Sequence, residues 1–470
     1  MDQDTFNKHA HEMVDWMSDY LSNIEQYPVR SQVKPGEIAG QLPVSAPLLG
    51  ESMDQIFADF KKTIIPGITH WQHPNWFSFF PANSSNPSVL AEMLTATMGA
   101  QCMLWETSPA ATELEIRVLD WLRQMIALPA GFHGVIQDTA SSATFCAILA
   151  ARERVMDNNC KEKGLFGQKP MRVYASAEAH SSIDKAVIMA GIGLDNLVRV
   201  PVDEDRAMKV DTLVRLIKED RAKGYVPTCV IGVLGGTSVG AVDPLSDIGV
   251  VAQKEGLYYH IDAAWAGTAL ILPEYQYLMA GAENIDSFVF NPHKWMLTNF
   301  DCTAHFVKDS RSLTNALSIQ PAYLKTREGG QVTDFRDWGV QLGRRFRALK
   351  LWFVIRSYGL AGLQHFVRQH IAWAIELAEA ISKAPHFEVV TQPSFSLLSF
   401  RYAPKGVEGQ ALSDLNDKLI QTINDKGKTY LTRTVVDGEV VIRFSIGSQK
   451  TERHHVFDTW DHIKEVASSL

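Results

Sequence analysis

The sequence predicts an α/β fold on a mostly parallel sheet, and three observations predict it. Short β-prone runs, apolar on both faces, recur through the middle of the chain: "RVYAS" (172–176), "CVIGVLGG" (229–236), "LYYHID" (257–262) and "SFVFN" (287–291). Helix-like stretches separate them: "SIDKAVIMAGI", "VDTLVRLIKEDRAKG" stopped by Gly224, and "PLSDIGVVAQKEG" between Pro244 and Gly256. Several runs also end in a polar residue. Continuous apolar strands alternating with helices indicate a sheet covered on both faces, and ligands then sit outside the carboxyl ends of its strands.

Before this region, Phe6, Ala10, Met13, Val14, Met17 and Leu21 recur at helical spacing and give a first helix an apolar stripe. Little nearby sequence is available to cover it, so a second subunit is its expected partner. The Pro- and Gly-rich stretch "PVRSQVKPGEIAGQLPVSAPLLGES" reads as an extended connector to an amphipathic helix from about Ser52 to Thr63. After "GRRFRALKLWFVIRSYG", whose basic run reads as a solvated or inter-subunit helix face, comes a long helix through "FVRQHIAWAIELAEAISKA". Three weaker strands ("FEVVT", "SLLSFRY", "VVIRFSIG") and a closing helix follow. The expected division is an N-terminal helical dimerisation segment (1–80), a large α/β domain (81–355) and a small C-terminal α+β domain (356–470).

Composition narrows the function. Of 470 residues 46% are hydrophobic and 21% charged, as in soluble globular proteins, and the net charge of -8 disfavours nucleic acid and anionic membranes as partners. A small molecule is the expected ligand. Five scattered cysteines without a Cys-x-x-Cys pair suggest neither a disulfide framework nor a zinc ribbon, and a reducing cytoplasm fits them best. The acidic N-terminus carries no export signal, and no stretch is long and apolar enough to span a bilayer.

The polar strand ends carry the chemistry. "RVYASAEAHSS" leads to His180, "VLGGTS" to Thr237, "YYHIDAAWAG" to Asp262, and "FVFNPHK" to Asn291, His293 and Lys294. A carboxylate in an apolar setting needs a cation, and a protonated pyridine nitrogen is one. A lysine in such a setting is biased toward the neutral amine, which condenses with an aldehyde. Lys294 follows Asp262 by 294 − 262 = 32 residues, the spacing of neighbouring sheet positions joined through a helix. In "QDTASSATFCAILAARER", Thr139, Ser141, Ser142 and Thr144 open a helix whose free N–H groups can hold a phosphate without an arginine. Taken together, these needs are those of pyridoxal 5'-phosphate. Singly, each feature has a plainer reading: a surface Lys, an N-capping Asp, a capped helix start, a satisfied polar His. Their order on one alternating frame is the argument.

The chain closely resembles the group II pyridoxal-phosphate decarboxylases, and among them the aromatic-L-amino-acid decarboxylases. The resemblance runs nearly end to end, through "THWQHPNWFSFFPANSS", "SPAATELE", "GVIQDTASSAT", "AHSSIDKA", "HIDAAWAG", "NPHKWML", "NFDC", "DWGVQLGRRFRALKLWFVIRSYG" and "RFSIG". It implies the fold-type I, aminotransferase-like architecture and a homodimer with swapped N-terminal helices and active sites at the interface. Lys294 then matches the coenzyme-binding lysine, Asp262 the partner of the pyridine nitrogen, and His180 the histidine stacked on the ring, with Ala264 on its other face. Thr139, Ala140, Ser141, Asn291 and His293 match the phosphate pocket and adjoining positions, and Thr237 a position near the pyridoxal hydroxyl. Trp71, Phe79, Phe80 and Pro81 match the substrate pocket, and Tyr323 the tyrosine of a mobile loop that delivers a proton. In this family a phenylalanine at the tyrosine position goes with oxidative aldehyde formation.

Some positions depart from the family pattern. Relatives commonly carry "YFPT" where this chain has "FFPA", so Phe79 lacks a phenol and Ala82 a hydroxyl, leaving Asn83 or Ser84 to substitute. Gln101 and Met103 stand where apolar or aromatic residues often line the substrate pocket. Gly343 matches plant members that take indoles, which favours tryptophan over dopa, tyrosine and phenylalanine. The alternatives are an aromatic aldehyde synthase on the same coenzyme, a metal-dependent hydrolase built on His260, Asp262 and His293, and a non-catalytic scaffold.

Overall fold

The computed structural model describes residues 1–157, 159–319 and 330–470. The chain forms two compact units, and they are not consecutive blocks. One comprises Met1–Pro81, Ile375–Gln392 and Ser399–Leu470; the other comprises Ala82–Ala374 and Pro393–Leu398. Among the described residues no helix is long and apolar enough to cross a membrane.

The second unit is built on a seven-stranded sheet: β1 (His133–Gln137), β2 (Met171–Ser176), β3 (Leu197–Val200), β4 (Val226–Val233), β5 (Tyr258–Asp262), β6 (Ser287–Phe290) and β7 (Thr303–Val307), in the order β1-β7-β6-β5-β4-β2-β3. From β6 through β3 neighbouring strands are parallel, while β7 runs antiparallel to both β6 and β1. The mostly parallel sheet predicted from the sequence is therefore present. The four predicted strands are β2, β4, β5 and β6, each buried along nearly its whole length.

The predicted helices also form. Leu245–Glu255 begins after Pro244 and ends on Gly256 in the left-handed region, while Val210–Ala222 ends just before Gly224, whose φ is +88°. The helix Ala140–Val155 crosses the sheet against β4, β5, β6 and β7 and buries Ala143, Cys146, Ala147, Ile148 and Ala151. Between β5 and β6 the chain runs through 3-10 turns (Ala266–Ile271, Pro273–Met279 and Ala282–Asn284), not the α-helix expected from the 32-residue spacing. That stretch contains Pro273 and two glycines, Gly267 and Gly281, which disfavour a continuous helix.

Of the four cations in "GRRFRALK", Arg345 is exposed as on a solvated face and the other three are not. Arg344 is buried against Glu115 at 2.7 Å, Arg347 pairs with Asp301 at 2.8 Å, and the fully buried Lys350 lies 3.1 Å from Glu92. Acids supplied from elsewhere in the unit, Glu115 and Asp301 buried and Glu92 partly exposed, compensate these cations.

In the first unit, Asp2 caps the helix Gln3–Ser22 by accepting the Thr5 N–H. This helix has an intrachain partner after all: Trp16 lies edge-on to Phe57 and Phe60, with ring centroids 6.1 and 5.2 Å away. Phe6 and Val14 of the predicted stripe remain exposed. The connector holds one short helix, Glu37–Gln41. The small sheet comprises β8 (Phe387–Ser394), β9 (Leu397–Tyr402), β10 (Thr432–Val436) and β11 (Glu439–Ser445), in the order β10-β11-β9-β8.

Candidate active site

A cavity of about 200 Å³ in the second unit is lined by Thr139, Ala140, Ser141, His180, Ser182, Val233, Gly235, Thr237, Asp262, Ala264, Asn291, His293, Lys294 and Phe300. All ten residues expected to hold a coenzyme are among them. They converge because β4, β5 and β6 are parallel neighbours: Val233 pairs with Asp262 and Asp262 with Val289, so these strands end on the same side of the sheet.

Asp262 is the last residue of β5. One carboxylate oxygen accepts the N–H of Ala264 at 3.1 Å. Burial raises its pKa above the usual carboxylate value, opposed by the charge of Lys294, the Ala264 N–H and His180. Lys294 sits half-buried on the one-turn helix Pro292–Trp295 that follows β6. Its N–H donates to the carbonyl of Asn291 at 2.9 Å, and its own carbonyl accepts the side-chain amide of Asn83. Between two fully buried side chains, Trp295 on its own turn and Phe290 before it, the lysine has little backbone freedom.

His180 follows β2. Its Nδ1 accepts the N–H of Ser182 at 3.0 Å, which leaves Nε2 to carry the proton of the neutral ring. Burial lowers its pKa, Asp262 pulls it up and Lys294 pulls it down. His293 accepts the N–H of Cys302 through Nδ1 at 3.0 Å, and burial together with Lys294 lowers its pKa to about 3, so the ring is neutral. The Asn291 side-chain oxygen accepts the Thr303 hydroxyl at 2.8 Å, which joins β6 to β7.

The helix beginning at Ala140 ends at the cavity. Thr139 is its N-cap, with its hydroxyl accepting the Ser142 N–H at 3.4 Å. First-turn N–H groups have no carbonyl behind them, so Ala140 and Ser141 bring two such donors and the helix dipole to the cavity wall. A carboxylate at one end, anion-seeking N–H groups at another, and an amine among them suit a coenzyme with a basic ring nitrogen, a phosphate and an aldehyde.

Of the residues expected to contact substrate, His180 lines this cavity. Trp71, Phe79, Phe80 and Pro81 belong to the first unit. Trp71 stacks on Trp76 at 4.2 Å and on Phe79 at 6.0 Å, with Trp71 39% and Phe79 48% exposed. Ala82, Gln101, Met103 and Gly343 are in the second unit but do not line the cavity. Gln101 accepts the N–H of Arg344 at 2.7 Å, and a Cβ on Gly343 would lie 3.2 Å from the Gln101 side-chain nitrogen. Tyr323 lies outside the described residues. Ser182, Val233, Gly235 and Phe300 line the cavity without having been singled out; the paired glycines closing "VLGG" were the available signal for Gly235.

The donor set proposed for a metal does not assemble. Both ring nitrogens of His260 bond hydroxyl groups, Thr144 at 3.1 Å and Ser287 at 2.9 Å, and His293 spends Nδ1 on Cys302. Among the described residues, the one close grouping of His, Cys, Asp and Glu side chains is His9, Glu12 and Asp54.

Residues 35–403 match the pyridoxal-dependent decarboxylase conserved domain. Tryptophan decarboxylase 2 of Oryza sativa subsp. japonica is 41% identical over 480 residues, spanning 100% of this chain and 96% of the relative. Phenylacetaldehyde synthase of Arabidopsis thaliana is also 41% identical over 480 residues, spanning 100% and 97%. The crystal structure of Oryza sativa TDC with PLP and tryptamine superposes with a TM-score of 0.96 at 36% identity, covering 100% of this chain and 99% of that one.

Proposed function

Because the chain belongs to the pyridoxal-dependent decarboxylase family, we propose that it converts an aromatic L-amino acid to the corresponding amine and CO₂, with tryptophan preferred over dopa, tyrosine and phenylalanine. Its coenzyme is pyridoxal 5'-phosphate. Bound in the cavity, that group supplies an aldehyde for the substrate amine and a ring that accepts the electrons left by departing CO₂. The observation that carries the reading is the placing of Asp262 and Lys294 at the ends of adjacent parallel strands in one cavity.

Each residue then has a task set by its position. Lys294 would be the amine that holds the coenzyme's aldehyde in the cavity. Asp262, desolvated at the end of β5, stabilises a proton on the ring nitrogen. Ala140 and Ser141 hold the phosphate with main-chain N–H groups. His180 and Ala264, which both line the cavity, would flank the coenzyme's ring. Trp71, Phe79, Phe80 and Pro81, with Gln101, Met103 and Gly343, are assigned to the substrate side chain. Tyr323, on a polar segment suited to close over the site, protonates the substrate Cα, a role worth roughly 10² to 10⁴ in rate. The same reading makes the protein a cytoplasmic homodimer; the exposed Phe6, Val14, Leu90, Leu94 and Met98 supply apolar surface for a second copy, and all five cysteines are free.

A second reading, oxidative formation of an aromatic aldehyde, draws on one observation: the phenylacetaldehyde synthase relative matches as well as the tryptophan decarboxylase does. Tyr323 speaks for plain decarboxylation. Amine, CO₂, aldehyde and peroxide measured with each of the four amino acids decide the matter. Amine and CO₂ in equal amounts, fastest with tryptophan, support the proposal; aldehyde and peroxide without amine overturn it in favour of the synthase. Borohydride should fix the coenzyme to the wild-type chain and not to Lys294→Ala.

A further inference from the structure

Beneath the cavity lies a chain of four polar side chains that the proposed chemistry does not use. Thr144 Oγ1 meets His260 Nε2 at 3.1 Å, His260 Nδ1 meets Ser287 Oγ at 2.9 Å, and Ser287 Oγ meets His305 Nε2 at 2.9 Å. All four residues are fully buried. They come from four elements: the helix Ala140–Val155, β5, β6 and β7.

Their depth below the cavity is matched on both sides. Thr144 follows Ala140 by four residues, about one helical turn or ~6 Å along the axis. His260 precedes Asp262 by two residues, ~6.6 Å along the strand and on the same face. Ala140 and Asp262 both line the cavity. The Thr144–His260 bond is therefore a rung one layer below the span that the coenzyme bridges from its phosphate to its ring nitrogen. Ser287 is the register partner of His260 on the strand that leads to Lys294, so the same imidazole also holds β6.

The chain is neutral and its protons are ordered. Burial holds both imidazoles uncharged, with the His305 pKa lowered to about 3 and that of His260 also far below its usual value. Ser287 has one proton to share between two rings, so it donates to one imidazole and accepts from the other. Among the described residues, Nδ1 of His305 has no hydrogen-bond partner. The order with His305 donating to Ser287, Ser287 to His260 and His260 to Thr144 leaves only a lone pair unmet; the reverse order would strand an N–H in the core. A donor at His260 Nε2 thus points at Thr144.

We propose that His260 is a positioning residue for the coenzyme: its imidazole, bonded to Thr144 and Ser287, fixes the distance from the helix end at Ala140 and Ser141 to the strand ends bearing Asp262 and Lys294. The coenzyme's ring is rigid and its phosphate arm short, so a site already spaced to their combined length would bind it with little reorganisation. This inference rests on the assignment of those two ends to phosphate and pyridine nitrogen.

Two substitutions separate the contacts. The Gln amide nitrogen reaches about as far as imidazole Nε2, and the Asn amide as far as Nδ1. His260→Gln keeps a donor for Thr144, while His260→Asn keeps only the bond to Ser287. Thr144→Val removes the hydroxyl at nearly constant volume. Apoprotein of each variant is titrated with pyridoxal 5'-phosphate by fluorescence quenching, and its melting temperature is recorded without coenzyme.

The expected result is a Kd raised roughly tenfold in Thr144→Val and His260→Asn and near wild type in His260→Gln, with all three apoproteins fully folded at the temperature of the titration even where a stranded N–H lowers the melting temperature. Equal Kd values across the set overturn the proposal, as does a loss of affinity that tracks the melting temperature with Gln and Asn alike, since that is a purely structural role. Should His260→Asn fail to fold, Thr144→Val against wild type decides alone. A wild-type apoprotein that does not take up the coenzyme overturns the assignment of the site itself, and a wild type that binds beside unchanged variants overturns only the role of His260.

Discussion

The backbone N–H of Asn291 donates to the carbonyl oxygen of Ala264 at 2.9 Å. Ala264 in turn donates its own N–H to the Asp262 carboxylate. The Asn291–Ala264 bond is main chain to main chain, so the turn after β5, which Asp262 closes, is joined to the start of the helix that carries Lys294 without use of either functional side chain.

Asp262→Asn should therefore leave the fold and the cavity in place while removing the charge. The neutral amide no longer favours a protonated ring nitrogen, so the rate of CO₂ release should fall on the order of 10²- to 10³-fold, the usual scale for one preorganised electrostatic group. Near-normal turnover by this variant would remove Asp262 from the mechanism.

How far the sequence displayed this arrangement depends on where each element's compensation comes from. Strands β2, β4, β5 and β6 were legible because they are apolar on both faces, and Asp262 and Lys294 because they close two such strands. Strand β3 was not: it has four residues, mostly half-exposed, at the edge of the sheet. Strand β7, "TAHFV", hides a histidine whose partner, Ser287, is 18 residues away in sequence. Phe300 reaches the cavity only because the chain reverses after Lys294 to enter β7 antiparallel. Likewise no local pattern shows that the first 81 residues share a unit with residues 399–470. The burial of Arg344 was invisible because Glu115 lies 229 positions earlier.

That buried pair gives a stability prediction. Glu115 accepts both Arg344 and the N–H of Ile136, at 2.7 and 2.8 Å. Arg344→Met strands a carboxylate in the core and should cost about 3–5 kcal/mol in denaturant unfolding. Adding Glu115→Gln, which keeps an acceptor for Ile136, should recover more than half. A double variant no more stable than the single one would refute the pairing argument.

Gly235 makes a steric prediction. Its φ is +83°, and a Cβ there would lie 2.3 Å from the Cβ of Ala266. Gly235→Ala must bear both a left-handed conformation, about 1–2 kcal/mol, and an overlap that only a shift of the loop after β5 relieves. Because Gly235 lines the cavity, coenzyme uptake should drop with the melting temperature. Unaltered binding and stability would show that the turn accepts a side chain.

Buried histidines set the acid limit of the fold. Burial is the leading cause in each case: the pKa of His73 is lowered to about 4, and those of His293, His305 and His370 to about 3. Lys294 adds to the effect at His293, and His70 and His455 add at His73. In the unfolded chain the same rings titrate near 6.5. Above that pH neither state binds these protons, and the contribution to stability is complete. As pH falls below 6.5 the unfolded state takes them up first, so stability is lost progressively toward the folded values near 3 to 4. Each ring contributes up to about 1.4 kcal/mol per pH unit, so four give roughly 5 kcal/mol per unit, a large share of an ordinary domain's stability. Scanning calorimetry of the apoprotein should show a melting temperature nearly flat above pH 7 and falling steeply between pH 6.5 and 5, with these four rings taking up roughly two protons on unfolding near pH 6.5 and nearly four near pH 5. Paired carboxylates act in the same direction but at lower pH, where they begin to protonate. A melting temperature that holds level down to pH 5 would mean that these rings are charged in the folded protein, contrary to their burial.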